Sequence, residues 1–209
     1  MSSRCFVLFS GGIESVALLH WLVEHENYDP IAVHSVFEHP VCSSRKLNAN
    51  IEQITDHYKV PLLIHKQSAY QFDFGETTEY FHSAKHWILA ACSVATRYPN
   101  VKNYFYGANS GIWRYGEEPS DFHYHDRTWE FYLIFEHYAT MMHGRDHGQK
   151  IYPPLSGLTK RAQWDSLPEN IQELTQSCGK PMAFDGKSPC GKCSKCLEYQ
   201  SMRGGIKPV

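Results

Sequence analysis

No apolar run in the 209-residue chain approaches the length of a bilayer span, which takes about 20 residues. The stretch nearest the start, Cys5-Phe6-Val7-Leu8-Phe9, ends in Ser10-Gly11-Gly12 and is too short for the core of a secretory leader. A cytoplasmic protein without membrane contact is expected. Charge of one sign is not in excess either: 20 Lys and Arg stand against 22 Asp and Glu, a formal net charge of -2. That balance argues against a bulk electrostatic grip on nucleic acid, so no stable nucleic-acid binding is expected. No Lys follows the N-terminal glycines, which excludes a Gly-x-x-x-x-Gly-Lys phosphate loop there. Only the two adjacent glycines Gly11 and Gly12 occur in that stretch, which excludes Gly-x-Gly-x-x-Gly there. In a reducing compartment the seven cysteines do not form a disulfide framework.

The chain does have a Gly-rich turn, Ser10-Gly11-Gly12-Ile13-Glu14-Ser15, between a strand pattern and a helix pattern. Such a turn gathers backbone N–H groups at a helix N-terminus, where the helix dipole adds partial positive charge. Gly11 and Gly12 leave the backbone bare for close approach, and Ser10 and Ser15 add hydroxyl donors. The hexamer resembles the SGGxDS motif of the PP-loop ATP pyrophosphatases, which cleave ATP between its α- and β-phosphates. Glu14 stands where that family has Asp.

The remaining pattern is strand and helix in alternation. Strands are expected near residues 4–9, 31–37, 60–64, 103–107 and 151–155. Asn27 to Pro30 reads as a turn, and Lys66 onward reads as a loop. Helices are expected near residues 13–26, 44–58, 83–98, 126–142, 159–167 and 169–176, from apolar spacing and from Thr159 and Pro168 as starts. Alternation of this kind implies a doubly wound, mostly parallel five-stranded α/β sheet of Rossmann-like type. In such sheets ligands sit beyond the carboxyl ends of the strands. Leu8, Phe9, Val36, Phe37 and Gly107 all fall at such ends. Val36 and Phe37 would suit an adenine ring or equally serve as core residues at a strand end, and Gly107 would suit close approach of a ligand or a tight turn. Residues 110–124, rich in Gly, Pro, Ser and charge, read as an active-site loop. The aromatic helix carrying Trp129, Phe131, Tyr132, Phe135 and Tyr138 reads as core or subunit interface.

Four of the cysteines cluster late, as Cys178-x11-Cys190-x2-Cys193-x2-Cys196. Four thiolates at this spacing suit a tetrahedral, structural Zn²⁺ site. An iron–sulfur cluster uses the same ligands. The expected division is a PP-loop α/β domain over residues 1–167 and a helical, four-cysteine segment over 168–209. Cys5 and Cys92 read as buried, and Cys42 as a loop thiol. The pairs His123/His125 and His143/His147 read as scattered surface histidines.

Taken together, the Ser10–Ser15 turn, Pro154-Leu155-Ser156-Gly157-Leu158-Thr159-Lys160 and the late cysteines with Gly191 resemble the 7-cyano-7-deazaguanine (preQ0) synthase family. The resemblance spans nearly the whole chain and keeps the motif order. It implies ATP, Mg²⁺ and Zn²⁺ as cofactors, and homodimers are common in the family. It also implies conversion of 7-carboxy-7-deazaguanine and ammonia to the nitrile through an adenylated carboxylate, in queuosine biosynthesis. On that reading the backbone of Gly11, Gly12 and Ile13, the hydroxyls of Ser10 and Ser15, and Lys160 hold phosphate; as a lone lysine at a helix start, Lys160 could equally be a solvated surface residue. Glu14 holds the metal ion or serves as a favourable acid in a first helical turn. Asp126 would read a guanine-like edge and Arg127 would pair with a carboxylate; alternatively Asp126 caps the helix that follows it. The family's base-pocket segments differ here, at residues 81–87 and 124–131. Other readings are a related ATPase acting on another carboxylate or on tRNA, and a non-catalytic nucleotide-binding zinc protein.

Overall fold

The computed structural model describes residues 3–24, 27–38, 49–68, 98, 100–108, 129–143, 150–176, 191–192 and 194–203. Five strands form one sheet: β1 (Ser3–Leu8), β2 (Tyr28–Glu38), β3 (Leu62–Ser68), β4 (Asn103–Tyr106) and β5 (Lys150–Tyr152). Their order is β3-β2-β1-β4-β5. All four pairings are parallel. The helices are α1 (Ile13–Glu24), α2 (Ala49–Tyr58), α3 (Trp129–His143), α4 (Lys160–Asp165), α5 (Glu169–Leu174) and α6 (Ser194–Met202). The order steps outward from β1 through β2 to β3, then crosses back to β4 and β5. The direction of winding therefore reverses between β1 and β4, which is the topological switch point.

The period-2 alternation of β1 divides the core. Cys5, Val7 and Phe9 pack with Leu18, Leu19 and Leu22 of α1, Ile51 and Ile54 of α2, and Ile171 of α5. Phe6 and Leu8 pack on the other face with Tyr104, Ile151, and Tyr132 and Phe135 of α3. Helices thus cover both faces, as the fold reading expects, and right-handed crossovers put α1 and α3 on opposite faces once the winding reverses. In α3, Tyr132 and Phe135 are buried, whereas Leu133, Ile134, Tyr138 and Met141 are exposed. The side chains of Trp129 and Phe131 lie outside the described residues.

Three boundaries differ from the sequence reading, each for a physical reason. First, β2 begins at Tyr28, so the expected turn at Asn27–Pro30 is mostly strand, with Pro30 paired to Cys5. Ala32 N–H donates toward the β3 side, to Pro61 O at 2.9 Å. The Pro30 nitrogen faces that same side two residues earlier, where β3 pairing has not begun. Its missing donor therefore leaves no ladder bond unmade. Second, β3 runs to Ser68 through the expected loop start at Lys66. It is an edge strand, where polar side chains are tolerated. Third, β5 ends at Tyr152, before Pro153, because consecutive prolines cannot continue a ladder. The expected helix over 83–98 lies almost wholly outside the described residues, as do residues 110–124, Cys42, Cys92, His123, His125 and His147.

Cys5 is fully buried. Burial, and secondarily the charge of Asp29, push its thiol up to about 12. The unfolded chain would ionise this thiol near 8.5 while the folded chain keeps it neutral. Its contribution to stability is therefore complete below pH ~8.5 and falls as pH rises toward the folded value. We expect Cys5 to resist iodoacetamide at pH 8.5 in native protein and to react at the rate of global unfolding. Mass-spectrometric mapping of alkylated peptides checks this, and rapid native labelling would contradict it.

Candidate functional site

β1 delivers the chain to the switch point at Phe9, whose N–H donates to Val33 O at 2.8 Å. The Phe9 carbonyl accepts from His34 Nδ1 at 2.8 Å. A carbonyl only accepts, so the proton sits on Nδ1 in this arrangement. The turn follows. Gly11 has φ +78°, and a Cβ there would meet Ile51 Cγ1 at 3.0 Å. Position 11 is therefore closed to side chains by conformation and by space. Gln176, just beyond α5, donates its N–H to Gly11 O at 3.1 Å and ties the far end of the chain to the turn.

The two serines form a closed hydrogen-bond set. Ser15 Oγ accepts from Ser10 N–H at 3.2 Å and donates to Gly12 O at 2.9 Å. The two hydroxyls lie 3.1 Å apart. Gly12 N–H reaches Ser10 Oγ at 3.3 Å. Ser15 is buried while Ser10 is exposed at the mouth of the turn. Ser15 therefore braces the loop from below, while Ser10 lies at its exposed mouth with its hydroxyl in the same set. A Cβ at Gly12 would stand 3.4 Å from Ser10 Oγ, so glycine keeps the space over that hydroxyl open. With Ile13 opening the twelve-residue α1, these groups suit an anion of phosphate size.

Gly107 follows β4 on the other side of the switch point. A Cβ there would lie 2.6 Å from the backbone C and O of Glu14 and 2.7 Å from Ser15 N. Its bareness therefore serves the seating of α1 against β4. The sequence reading offered a ligand or a turn at this position; the structure puts a helix backbone there.

Lys160 begins α4. Thr159 caps that helix by accepting from Ala162 N–H at 3.1 Å. The Lys160 side chain is 14% exposed, with Nζ 3.3 Å from Glu14 Oε1 and 2.6 Å from Glu198 Oε2. Burial alone would push this ammonium down. The charges of Glu14 and then Glu198, with their hydrogen bonds, outweigh it and hold the pKa above the ordinary lysine value. Lys160 is thus a cation near neutral pH, and it is not a solvated surface residue. One residue turn along α4, Gln163 is fully buried. It donates to Ala108 O at 2.6 Å and Leu155 O at 3.0 Å, joining the ends of β4 and β5.

Helix α6 closes the arrangement. Tyr199 and Met202 pack with Ile13 and Trp164. Tyr199 OH donates to Gln172 O at 3.0 Å, and Arg203 lies 4.8 Å over the Tyr199 ring. Cys196 is buried in this helix. Cys178, Cys190 and Cys193 lie outside the described residues, as do Asp126 and Arg127. Val36 is buried near the end of β2, and the side chain of Phe37 is outside the described set. Among the described residues no helix is long and apolar enough to cross a membrane.

The structure therefore brings Ser10, Gly12, Glu14, Ser15 and Lys160 together. Sequence reasoning missed His34, Gln163, Gln176 and Glu198. A histidine inside an otherwise apolar strand was the available signal for the first, and a glutamine on the apolar side of a short helix for the second. Nothing local marks Gln176 or Glu198.

Fold and site together define a doubly wound α/β protein with an anion-shaped turn and a nearby lysine at its switch point. The sequence matches no protein-family model and no curated protein. Several solved structures are similar in outline, two of them as follows. One is a 4-thiouridine synthetase–RNA complex with bound ATP, at 15% identity and TM-score 0.48, over 97% of this chain and 50% of that one. The other is the U34-tRNA thiolase NcsA from Methanococcus maripaludis with its 4Fe-4S cluster, at 12% identity and TM-score 0.42, over 96% of this chain and 65% of that one. The chain spans half the length of the first and under two thirds of the second.

Proposed function

We propose that this chain is a PP-loop-type ATP pyrophosphatase that activates a carboxylate as its adenylate. One observation carries the reading. Lys160 and the Ser10–Ser15 turn, 145 to 150 residues apart in sequence, converge at the N-terminus of α1, with Glu14 bridging them at 3.3 Å. A pyrophosphate would draw on the N–H and hydroxyl donors that Ser10, Gly12 and Ser15 direct at one another, with the Lys160 charge beside the turn. Mg²⁺, when bound, would neutralise phosphate oxygens as a Lewis acid, and among the described residues Glu14, in the turn itself, is the acid that would hold it. The role of the protein's own groups is to hold the phosphates in place and shield them from water.

The substrate proposed is 7-carboxy-7-deazaguanine: ammonia displaces AMP from its adenylate to give the amide, and a second ATP activates the amide oxygen so that it leaves with AMP as the nitrile forms. Motif order along the chain supports this choice, and Asp126 and Arg127 are the proposed substrate contacts. Zn²⁺ on Cys178, Cys190, Cys193 and Cys196 is proposed as a structural clamp on the C-terminal segment. Incubation with Mg²⁺-ATP, ammonium and the carboxylate, followed by mass spectrometry, tests the reading. The expected products are the nitrile, AMP and pyrophosphate. AMP and pyrophosphate without nitrile would retain the ATP chemistry and reassign the carboxylate. ATP left intact by folded, metal-loaded protein would overturn the proposal.

A further inference from the structure

An ammonium has three N–H donors. In Lys160 one of them goes to Glu198 in α6, and the same Nζ forms an ion pair with Glu14 in the first turn of α1, so it faces carboxylates from two parts of the chain. The shorter contact, 2.6 Å, is to Glu198. Glu14 alone would not fix a side chain with four rotatable bonds. Glu198 approaches from a separate element, so the pair defines a direction as well as a neutralising charge. Helix α6 is itself fixed by the Trp164–Tyr199 contact, whose rings lie 5.2 Å apart. It is also held by Arg161, on the residue next to Lys160, which donates to Met202 O at 3.3 Å. The element that carries Glu198 is therefore braced against the helix that carries Lys160.

We propose that Glu198 is a positioning residue for the phosphate site: it holds the Lys160 ammonium toward Glu14 and the Ser10–Ser15 turn. The C-terminal helix is then a working part of the nucleotide site as well as a packing element. This inference rests on the phosphate-binding reading of the turn and adds a residue that the motif does not contain.

Two opposed effects decide the test. The Glu198 carboxylate orients Lys160, which favours anion binding. Its negative charge stands near the same anion, which disfavours it. Glu198→Gln keeps an oxygen acceptor of the same length and removes the charge. Glu198→Ala removes both. Titration calorimetry of full-length wild type and both variants with inorganic pyrophosphate separates the terms, with thermal melts as the check on folding. Positioning predicts that Glu198→Ala weakens binding about fivefold to tenfold, the range of a partly exposed charge-assisted hydrogen bond. Glu198→Gln should restore binding to within about twofold of wild type. A purely structural role would lower the melting temperature of Glu198→Ala and leave pyrophosphate affinity unchanged, which would overturn the inference. Tightening in both variants would also overturn it, because Glu198 would then act as an electrostatic brake. Absence of pyrophosphate binding by wild type would overturn the phosphate reading itself. Wild-type binding with unaffected variants would overturn the role of Glu198 alone.

Discussion

Gly107→Ala is expected to destabilise the fold by about 3 kcal/mol or more, at the upper end of what overpacking a filled interior costs. The added methyl carbon would lie 2.6 Å from the carbonyl carbon and oxygen of Glu14 and 2.7 Å from Ser15 N. All three are backbone atoms in the first turn of α1, so no side chain can rotate out of the way. Relief requires α1 and the end of β4 to move apart. That displacement would open the hydrogen bonds joining Ser10, Gly12 and Ser15, so pyrophosphate affinity should fall with stability. Urea unfolding gives the first effect and calorimetry the second. Gly157→Ala is the control, because a Cβ at Gly157 meets nothing within 4 Å. It should leave the urea midpoint nearly unchanged. Equal midpoints for the two variants would show that the β4–α1 approach is not what position 107 provides.

The same contact shows what the sequence could and could not convey. β1, α1 and β4 were legible because each carries a local apolar or aromatic run, Cys5–Phe9, Val16–Leu19 and Tyr104–Tyr106. The Gly-rich turn was legible because an anion-shaped turn needs small residues at fixed local spacing. The start of β2 was not legible, since Pro30 reads locally as a turn. Only the parallel register shows that its nitrogen faces the side where β3 pairing has not begun. β3 beyond Ile64 was hidden for a related reason: an edge strand admits His65, Lys66 and Gln67, which erase the apolar signal. At the site, the missed residues share a long-range cause. His34 lies 25 residues from Phe9, Glu198 lies 38 from Lys160, and Gln163 lies 55 from Ala108. Such pairings are set by which strand ends and helices meet around the switch point; the strand histidine and the helix glutamine were local signals, but local spacing does not name their partners. Gly107 was noticed for its bareness, but its partner could be identified only after β4 was placed beside β1.

Lys160→Met should produce the largest loss of function among single substitutions at the site while leaving the fold largely intact. Methionine keeps most of the aliphatic stem and its packing, and removes the ammonium. Pyrophosphate affinity is expected to fall about 10- to 100-fold, the value of a charge-assisted hydrogen bond in a partly desolvated site. Stability should fall by about 1–2 kcal/mol, less than for a fully buried pair, because Glu14 and Glu198 keep some access to water. The two losses have different origins, and a second substitution separates them. In Glu14→Gln/Lys160→Met one stranded carboxylate is neutralised, so part of the lost stability should return. Pyrophosphate affinity should not return, because no donor replaces the ammonium. Calorimetry and urea unfolding on wild type, the single variant and the double variant measure both quantities. If Lys160→Met loses stability but binds pyrophosphate as wild type does, Lys160 serves only to join α1, α4 and α6. The phosphate site would then consist of the turn alone.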